Sequence, residues 1–247
     1  MCTTLTLITS SDVTYCPRYL LPSVHTGFFT TSADSGGECG VSTEVRYPGP
    51  EPTVEMQSDG WWALAHGSVF IVMLNSELEI GAGSDQFDFL VATLAAVNRS
   101  VTPWCVVFLH RPIYAVGPSA TGGSRDTPVG DALEPTLLKY HVDLFLVGHV
   151  HNAFASAGGI YQSKTIVPPA PDAYAAPIHA CIGNAGMGLS GINATHPPAW
   201  TEWQMNAYGY SDMTAYNETH AEMRFFDDAT DTLQHTISMV RAWPRVY

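Results

Sequence analysis

The sequence is poor in positive charge. Ten Lys and Arg residues stand against 23 Asp and Glu residues, so the formal net charge of the 247 residues is −13. A chain this acidic is repelled by nucleic-acid phosphates and by anionic membrane surfaces. We therefore expect no nucleic acid partner. An anionic small substrate is still compatible with the composition, because bound metal ions reverse the field within a cleft.

A hydrophobic run long enough to span a bilayer is also missing. The longest apolar region, residues 61–74, is interrupted by His66 and Gly67, whereas a spanning helix needs about 20 apolar residues. The first nine residues contain no basic residue and no sustained apolar core, so they make a poor signal peptide. We expect no membrane span.

Lysine is scarce, with only two in the chain, while three N-glycosylation sequons begin at Asn98, Asn193 and Asn217. Sequons are modified in secreted proteins. The sequence therefore predicts a glycoprotein that is secreted or resides in a vacuole or lysosome. Because such a location requires a leader that is not seen, we further expect that the N-terminus of the natural protein is missing from this sequence.

Paired cysteine motifs are absent as well. The five cysteines, Cys2, Cys16, Cys39, Cys105 and Cys181, form no CxxC pair, which argues against a zinc-ribbon site. Their odd number leaves at least one thiol free or paired outside the chain. Cys105 lies within an apolar run and is predicted to be a packed thiol.

The apolar content is sufficient for a buried core. Hydrophobic residues make up 46% of the chain and charged residues 13%, which is typical of a globular protein. No internal repeat or long linker divides the sequence, so we predict a single domain. Its parts are a loop-rich lead-in at residues 1–58, an α/β core at 59–190 and C-terminal antiparallel strands at 200–247.

The predicted core alternates between strands and helices. Residues 61–75 predict a β-hairpin, and Ser84 is suited to cap a following helix. Two buried strands then end at His110 and His149, with a short helix at 131–140 between them. This alternation indicates a layered α/β fold. The remaining predictions are the capped helix at 84–97, the first buried strand at 101–109, loops at 117–130 and 152–178, a strand at 178–182 and an antiparallel meander from residue 208 onward.

The most informative stretch is LFLVGHVH at residues 144–151. A short apolar run that closes at a glycine predicts a buried strand, and ligands bind at the carboxyl ends of such strands. Gly148 would let the backbone turn so that His149 and His151 face one site. The plain alternative is a polar strand end. His110 ends the preceding strand, 39 residues before His149, so adjacent parallel strands would bring three imidazoles together. They suit a zinc site with an open position, or half of a two-metal site completed by carboxylates.

At this point the chain resembles the C-terminal portion of the purple acid phosphatases, within the calcineurin-like metallophosphoesterases. The matching segments are collinear and extend over roughly residues 30 to 241, which is more specific than any single motif. They are SGGECGV at 35–41, GSVFIVMLNSE at 67–77, GSDQFDFLVATLAAVNRSVTPW at 83–104, VVFLHRPIY at 106–114, LVGHVH at 146–151 and YGYSDMTAYNETHAEMRFF at 208–226.

The resemblance implies a metallophosphoesterase-type β-sandwich flanked by helices, incomplete at its N-terminus. It implies a centre of one ferric ion with a divalent zinc, manganese or iron, hydrolysing phosphate monoesters at acidic pH through a metal-bound hydroxide. His110 and His149 resemble the histidine ligands of the divalent metal, and His151 resembles the histidine ligand of the ferric ion. The resemblance identifies no further catalytic residue.

The departures from the family pattern are substantial. The aspartate, Gly-Asp-x-x-Tyr and Gly-Asn-His-Glu blocks, which carry the other metal ligands, have no counterpart in this sequence. The usual Asn-Tyr-Glu-Arg after the last histidine is replaced by NAFA at residues 152–155, and no histidine occurs between Arg111 and Lys139. Each loss removes charge or hydrogen bonding that would help to hold a phosphate.

Three interpretations remain open at this stage. The chain is a phosphatase whose activity is impaired by the absent ligand blocks, a catalytically inactive pseudo-phosphatase or binding protein on the same scaffold, or a mononuclear three-histidine zinc hydrolase. The sequence does not indicate an oligomeric state.

Overall fold

Two sheets and two helices organise the part of the chain that the computed structural model describes, residues 2–7, 61–76, 78–166, 175–186 and 188–241. The helices are α1 (Asp85–Ala96) and α2 (Thr127–Lys139). The strands are β1 (Thr3–Leu7), β2 (Trp62–His66), β3 (Val69–Met73), β4 (Trp104–Leu109), β5 (Tyr114–Val116), β6 (Gly123–Arg125), β7 (Leu144–Val147), β8 (Ala153–Tyr161), β9 (Lys164–Thr165), β10 (Ile178–Ile182), β11 (Thr201–Met205), β12 (Gly209–Ala215), β13 (His220–Asp227) and β14 (Thr232–Val240).

The larger sheet has the strand order β11-β8-β10-β7-β4-β3-β2, with β9 attached to β8. Its centre is parallel, because β3, β4, β7 and β10 run in one direction. These strands are apolar on both faces and mostly buried. Such composition is typical of parallel strands that are covered from both sides.

The smaller sheet, β1-β12-β13-β14, is antiparallel throughout and covers one face of the larger sheet. Met213, Met223 and Phe225 point inward from its strands. They share a buried cluster with Val106 and Leu146 of the larger sheet. Alternate residues of each strand thus form the core of a sandwich.

The helices cover the opposite face of the larger sheet. Helix α1 begins after Ser84, whose hydroxyl accepts the Phe87 N–H at 3.2 Å, as an N-cap does. Leu90 of α1 and Leu133 of α2 are fully buried in a second cluster together with Phe145 of β7. The predicted layered α/β sandwich with flanking helices is therefore confirmed.

The loop predicted at residues 117–130 is wrong in part. Strands β5 and β6 form a hairpin here, and α2 already begins at Thr127. The Asp126 carboxylate caps the helix, and Pro128 occupies its first turn. Proline is tolerated at this position because the N–H that it lacks has no helical partner there. Proline and glycine usually indicate loops, so the sequence did not predict that the helix begins at Thr127.

The loop predicted at residues 152–178 is also wrong, since β8 alone occupies nine of those residues. Its alanines and glycines have low intrinsic strand propensity, but they allow close approach of neighbouring chain. At Gly159 an added Cβ would lie 2.3 Å from the Ala176 carbonyl oxygen. Tertiary packing therefore selects small residues here, and the propensity signal is lost.

Other predicted elements agree with the structure. The hairpin of β2 and β3, helix α1 and the meander of β12 to β14 are confirmed, while the strand expected at 101–109 starts at Trp104. Within the predicted lead-in, residues 3–7 form a strand, and residues 8–58 lie outside the described ranges. No helix in the described part is long and apolar enough to cross a membrane.

Candidate metal centre

The three predicted ligands lie after the carboxyl ends of β4 and β7, two central strands of the larger sheet. Strands β4 and β7 are parallel neighbours, and their register pairs Leu109 with Val147. The ladder continues one step further, because the Gly148 N–H donates to the His110 carbonyl at 3.2 Å. His110 is thereby fixed beside the segment that carries His149.

Two consecutive three-residue turns present His149 and His151. The Val150 N–H donates to the Gly148 carbonyl at 2.6 Å, and the Asn152 N–H donates to the Val150 carbonyl at 2.8 Å. Each bond spans two residues, as in a γ-turn, with a histidine at the apex. His149 has φ +57°, in the left-handed region. Gly148 was expected to provide the sharp backbone turn. This prediction is wrong, because the residue with positive φ is His149.

A γ-turn with positive φ at its centre is rare and strained, and residues in such conformations are concentrated at functional sites. Strand β10 contacts the backbone of this turn through Cys181. The Cys181 thiol lies 3.3 Å from the carbonyl oxygens of both Gly148 and Val150. Burial raises the pKa of this thiol to about 12, so it stays protonated and donates. At Gly183 an added Cβ would lie 2.2 Å from the Val150 carbonyl oxygen.

His110 and His149 meet through specific ring nitrogens. The His110 Nε2 and His149 Nδ1 atoms are 3.2 Å apart, and the rings are nearly perpendicular at 79°. Two imidazole nitrogens bound tetrahedrally to one zinc ion at its usual bond length are about 3.3 Å apart. The pair therefore fits two ligands of a single ion.

His151 occupies a separate environment from this pair. Its Nδ1 lies 2.8 Å from the Gly188 carbonyl oxygen, and its backbone N–H donates to the Ser190 hydroxyl at 3.0 Å. The Ser190 N–H returns a bond to the His151 carbonyl at 3.0 Å. Histidines that bind metals commonly donate their second ring N–H to a backbone carbonyl, as the His151 Nδ1 does to Gly188.

Two of the three predicted ligands are thus in contact, and the third lies on an adjoining turn. Within the described ranges, no group of three or more His, Cys, Asp or Glu side chains is placed to hold one ion. The His110 and His149 pair has the spacing of two ligands of one ion, and His151 is not grouped with it. The ligand assignment stays a prediction.

Asn152 is a contact that sequence reasoning missed. Its side chain is fully buried, and its amide donates to the carbonyls of Val116 at 3.1 Å and Gly191 at 3.2 Å. It thereby joins the turn of His151 to the end of β5 and to the loop that contains Gly191. An asparagine directly after two histidines was the available signal, whereas nothing in the local pattern around Ser190 pointed to His151.

Tyr114 of β5, Arg125 of β6 and Glu134 of α2 form a buried polar network, here called the Glu134 cluster. The Tyr114 hydroxyl and the Arg125 guanidinium, the latter at 2.6 Å, both donate to the Glu134 carboxylate, which is 2% exposed. Burial, followed by the bond to Glu134, raises the pKa of the Tyr114 phenol. The Gln162 N–H also points to this carboxylate, at 3.3 Å.

His179 lies beside this cluster and is 2% exposed. Its ring contacts those of Tyr114 and Phe145, with centroids 4.7 and 5.2 Å away. Its Nε2 has no partner in the described part of the chain. Burial lowers the pKa of His179 to about 3, and the charge of Arg125 acts in the same direction. This histidine is therefore neutral and packs as part of the core.

Comparison with known proteins decides the family. The profile of the calcineurin-like phosphoesterases matches residues 40–153, and that of iron/zinc purple acid phosphatase-like protein C matches residues 176–234. This chain belongs to the purple acid phosphatase family. The first matched segment contains all three predicted histidine ligands, and the second contains the loop that contacts His151. The resemblance inferred from the sequence is thus confirmed.

Several purple acid phosphatases and related enzymes align over most of the chain. "Probable inactive purple acid phosphatase 27" of Arabidopsis thaliana is 27% identical over 88% of this chain, and the "Nucleotide pyrophosphatase/phosphodiesterase" of Hordeum vulgare is 30% identical over 81%. This chain spans 36% and 54% of the length of these relatives. A purple acid phosphatase from yellow lupin seeds, PPD1, superposes with a TM-score of 0.75 at 24% identity, covering 89% of this chain and 38% of the lupin chain. That likeness shows a shared fold.

The three sequons differ in accessibility. Asn98 and Asn217 are exposed, whereas Asn193 is half-buried and its amide donates to the Ser119 carbonyl at 3.0 Å. Modification of each remains a prediction. Cys105 is buried within β4, as predicted, and Cys2 and Cys181 are free thiols.

Proposed function

We propose that His110, His149 and His151 contribute to a two-metal centre that hydrolyses phosphate monoesters at acidic pH. The 3.2 Å separation of the His110 Nε2 and His149 Nδ1 atoms carries the proposal, because it matches two ligands on one ion. One ferric ion and a divalent zinc, manganese or iron, when bound, would supply the hydroxide nucleophile and neutralise phosphate charge.

Each histidine has a defined part in this proposal. His110 and His149 hold the divalent ion, and the hydrogen bond between the Gly148 N–H and the His110 carbonyl keeps their strand ends in register. His151 holds the ferric ion from the next turn. The strained backbone at His149 supports a functional role for this turn, since such strain is typical of functional sites.

The same residues support an impaired activity. Three ligands divided over two ions leave both under-coordinated, and the family's three other ligand blocks are absent from the sequence. Ala153, Phe154 and Ala155, which replace the family's polar residues, are fully buried and offer nothing to a phosphate. We propose weak metal binding and slow turnover for this chain.

The second candidate is a catalytically inactive pseudo-phosphatase or binding protein on the same scaffold. The name of the Arabidopsis relative, "Probable inactive purple acid phosphatase 27", favours it, as does the loss of polar residues after Asn152. A mononuclear zinc hydrolase is less favoured, because no three-ligand group occurs among the described residues.

Metal binding followed by an activity assay separates these candidates. The chain is incubated with iron and zinc, bound metal is measured, and hydrolysis of an aryl phosphate is assayed at pH 5. The impaired enzyme predicts weak binding and slow hydrolysis, both abolished by His149→Ala and unchanged by His66→Ala at an exposed hairpin residue. Absence of both in the unaltered chain supports the inactive alternative. Hydrolysis at the rate of an efficient phosphatase contradicts the impairment, and one tightly held zinc per chain supports the mononuclear site.

We also propose that the protein is a secreted, vacuolar or lysosomal glycoprotein, supported by the exposure of Asn98 and Asn217. Treatment of the protein from its natural source with an N-glycan-removing enzyme tests this. A mass decrease is expected, and an unchanged mass contradicts it.

A further inference from the structure

The loop of residues 188–191 wraps around His151 and is attached at both of its ends. Gly188 and Ser190 contact His151 through the three hydrogen bonds described above. At the far end, the Gly191 carbonyl accepts the Asn152 amide at 3.2 Å, and the Gly191 N–H donates to the Asn206 side chain at 2.9 Å. Five hydrogen bonds therefore fix a four-residue loop that has no regular secondary structure.

The bond to Gly188 determines where His151 carries its proton. A carbonyl oxygen only accepts hydrogen bonds, so the His151 Nδ1 at 2.8 Å must be the donor. A neutral imidazole has one N–H, and the other nitrogen then has a lone pair. His151 is consequently held as the Nδ1–H tautomer, and its Nε2 is the nitrogen that can bind a metal.

The two histidines of the motif therefore offer different nitrogens. His149 directs its Nδ1 toward His110, whereas His151 uses its Nδ1 for the Gly188 carbonyl and presents Nε2. The Nδ1 atoms of the two histidines thus have different partners, a ring nitrogen for His149 and a carbonyl oxygen for His151. The loop at 188–191 is the feature that separates them, because it places a carbonyl oxygen where His149 has the ring of His110.

We infer that Ser190 is a positioning residue that fixes the metal-binding nitrogen of His151. Its hydroxyl accepts the His151 N–H and its own N–H donates back, so it holds the loop at the distance at which the Gly188 carbonyl captures Nδ1. Removal of the hydroxyl would leave the His151 N–H without its acceptor and loosen that carbonyl. The inference deepens the proposed function, since it rests on His151 being a ligand, but the tautomer is fixed without metal.

Nitrogen-15 NMR of histidine in the metal-free chain tests the inference directly, because the two ring nitrogens have separate shifts in each tautomer. The His151 signal is assigned by its loss in His151→Gln. We expect the Nδ1–H tautomer in the unaltered chain, a mixture in Ser190→Ala, and recovery in Ser190→Thr, which restores a hydroxyl. Ser124→Ala, at an exposed serine of β6, serves as the matched control and should leave the signal unchanged.

Titration with ferric ion, the ion that His151 holds in the proposed centre, then links the tautomer to binding. Loss of a group that orients a metal-binding histidine weakens affinity by about 10- to 100-fold, and we expect this for Ser190→Ala alone. An Nε2–H tautomer in the unaltered chain overturns the inference even if no variant folds, and so does an unchanged tautomer in Ser190→Ala. If the unaltered chain binds no ferric ion but the tautomer responds to Ser190, the positioning role stands and the proposed metal site fails.

Discussion

The turns of residues 148–152 and the Glu134 cluster are both polar, yet they are built in opposite ways. In the cluster, a fully buried carboxylate accepts bonds from a tyrosine, an arginine and the backbone. In the turns, His149 is exposed, its backbone is strained, and the ring nitrogens of His110 and His149 face each other.

The contrast distinguishes polar groups that stabilise a fold from polar groups that are arranged for a ligand. The Glu134 carboxylate is the shared acceptor of the cluster, so removing it leaves the donors of Tyr114 and Arg125 without that partner. Two imidazole nitrogens that face each other can both direct their lone pairs at a single cation. The cluster should therefore determine stability, and the turns should determine binding.

The largest expected effect is on the cluster. Glu134→Ala leaves the Arg125 guanidinium and the Tyr114 hydroxyl without their acceptor, and breaking a buried ion pair in this way costs about 4 kcal/mol. Urea denaturation of the metal-free chain measures the loss. Asp131→Ala, which removes the exposed second partner of Arg125, should change stability by less than about 1 kcal/mol. Equal losses in both variants would contradict the contrast.

The next effect is a pH dependence from His179. Its folded pKa of about 3 lies below the usual 6.5, so the unfolded chain binds more protons between these values. Stability from this residue is complete above pH 6.5 and is lost as the pH falls, by about 3 kcal/mol at pH 4. His179→Leu should flatten the stability curve in this window, and the exposed His220→Leu should not. A curve for His179→Leu that is as steep as that of the unaltered chain would rule out this origin.

At the turns, the expected effect is on binding. His149→Ala removes one of two ligands of the proposed ion, and we expect zinc affinity to fall at least about 100-fold. Because this side chain is exposed, stability without metal should not decrease. Calorimetric titration and urea denaturation of the same sample give both values. A marked loss of stability with unchanged zinc affinity would reverse the roles assigned to the two regions.

The smallest effect concerns the backbone at His149. A left-handed conformation costs a residue with a Cβ roughly 1 kcal/mol relative to glycine. We therefore expect His149→Gly to be more stable than His149→Ala by about that amount, although neither variant binds metal well. Urea midpoints of the two metal-free variants provide the measurement, and a less stable glycine variant would show that the turn is not strained.

The sequence carried enough information for the main architecture. Apolar runs ending at His110 and His149 identified β4 and β7, and Ser84 identified the start of α1, because burial and capping act through local residue types. Collinear motifs then identified the family.

The features that the sequence did not reveal depend on distant contacts. The alanines and glycines of β8 are explained by neighbours such as Ala176, and the contact of Ser190 with His151 joins residues 39 positions apart. The positive φ of His149, beside a glycine that does not need it, is visible only in three dimensions. Local pattern therefore predicts which histidines are ligands, whereas the partners of their ring nitrogens depend on tertiary packing.

The backbone conformation of His149 also bears on the history of the gene. Glycine adopts positive φ more readily than histidine, so a mutation to glycine relaxes the turn. A gene copy under no demand for an imidazole would drift toward glycine at position 149. The residue at position 149 in a related copy of the gene therefore indicates, without an assay, whether the imidazole is under selection.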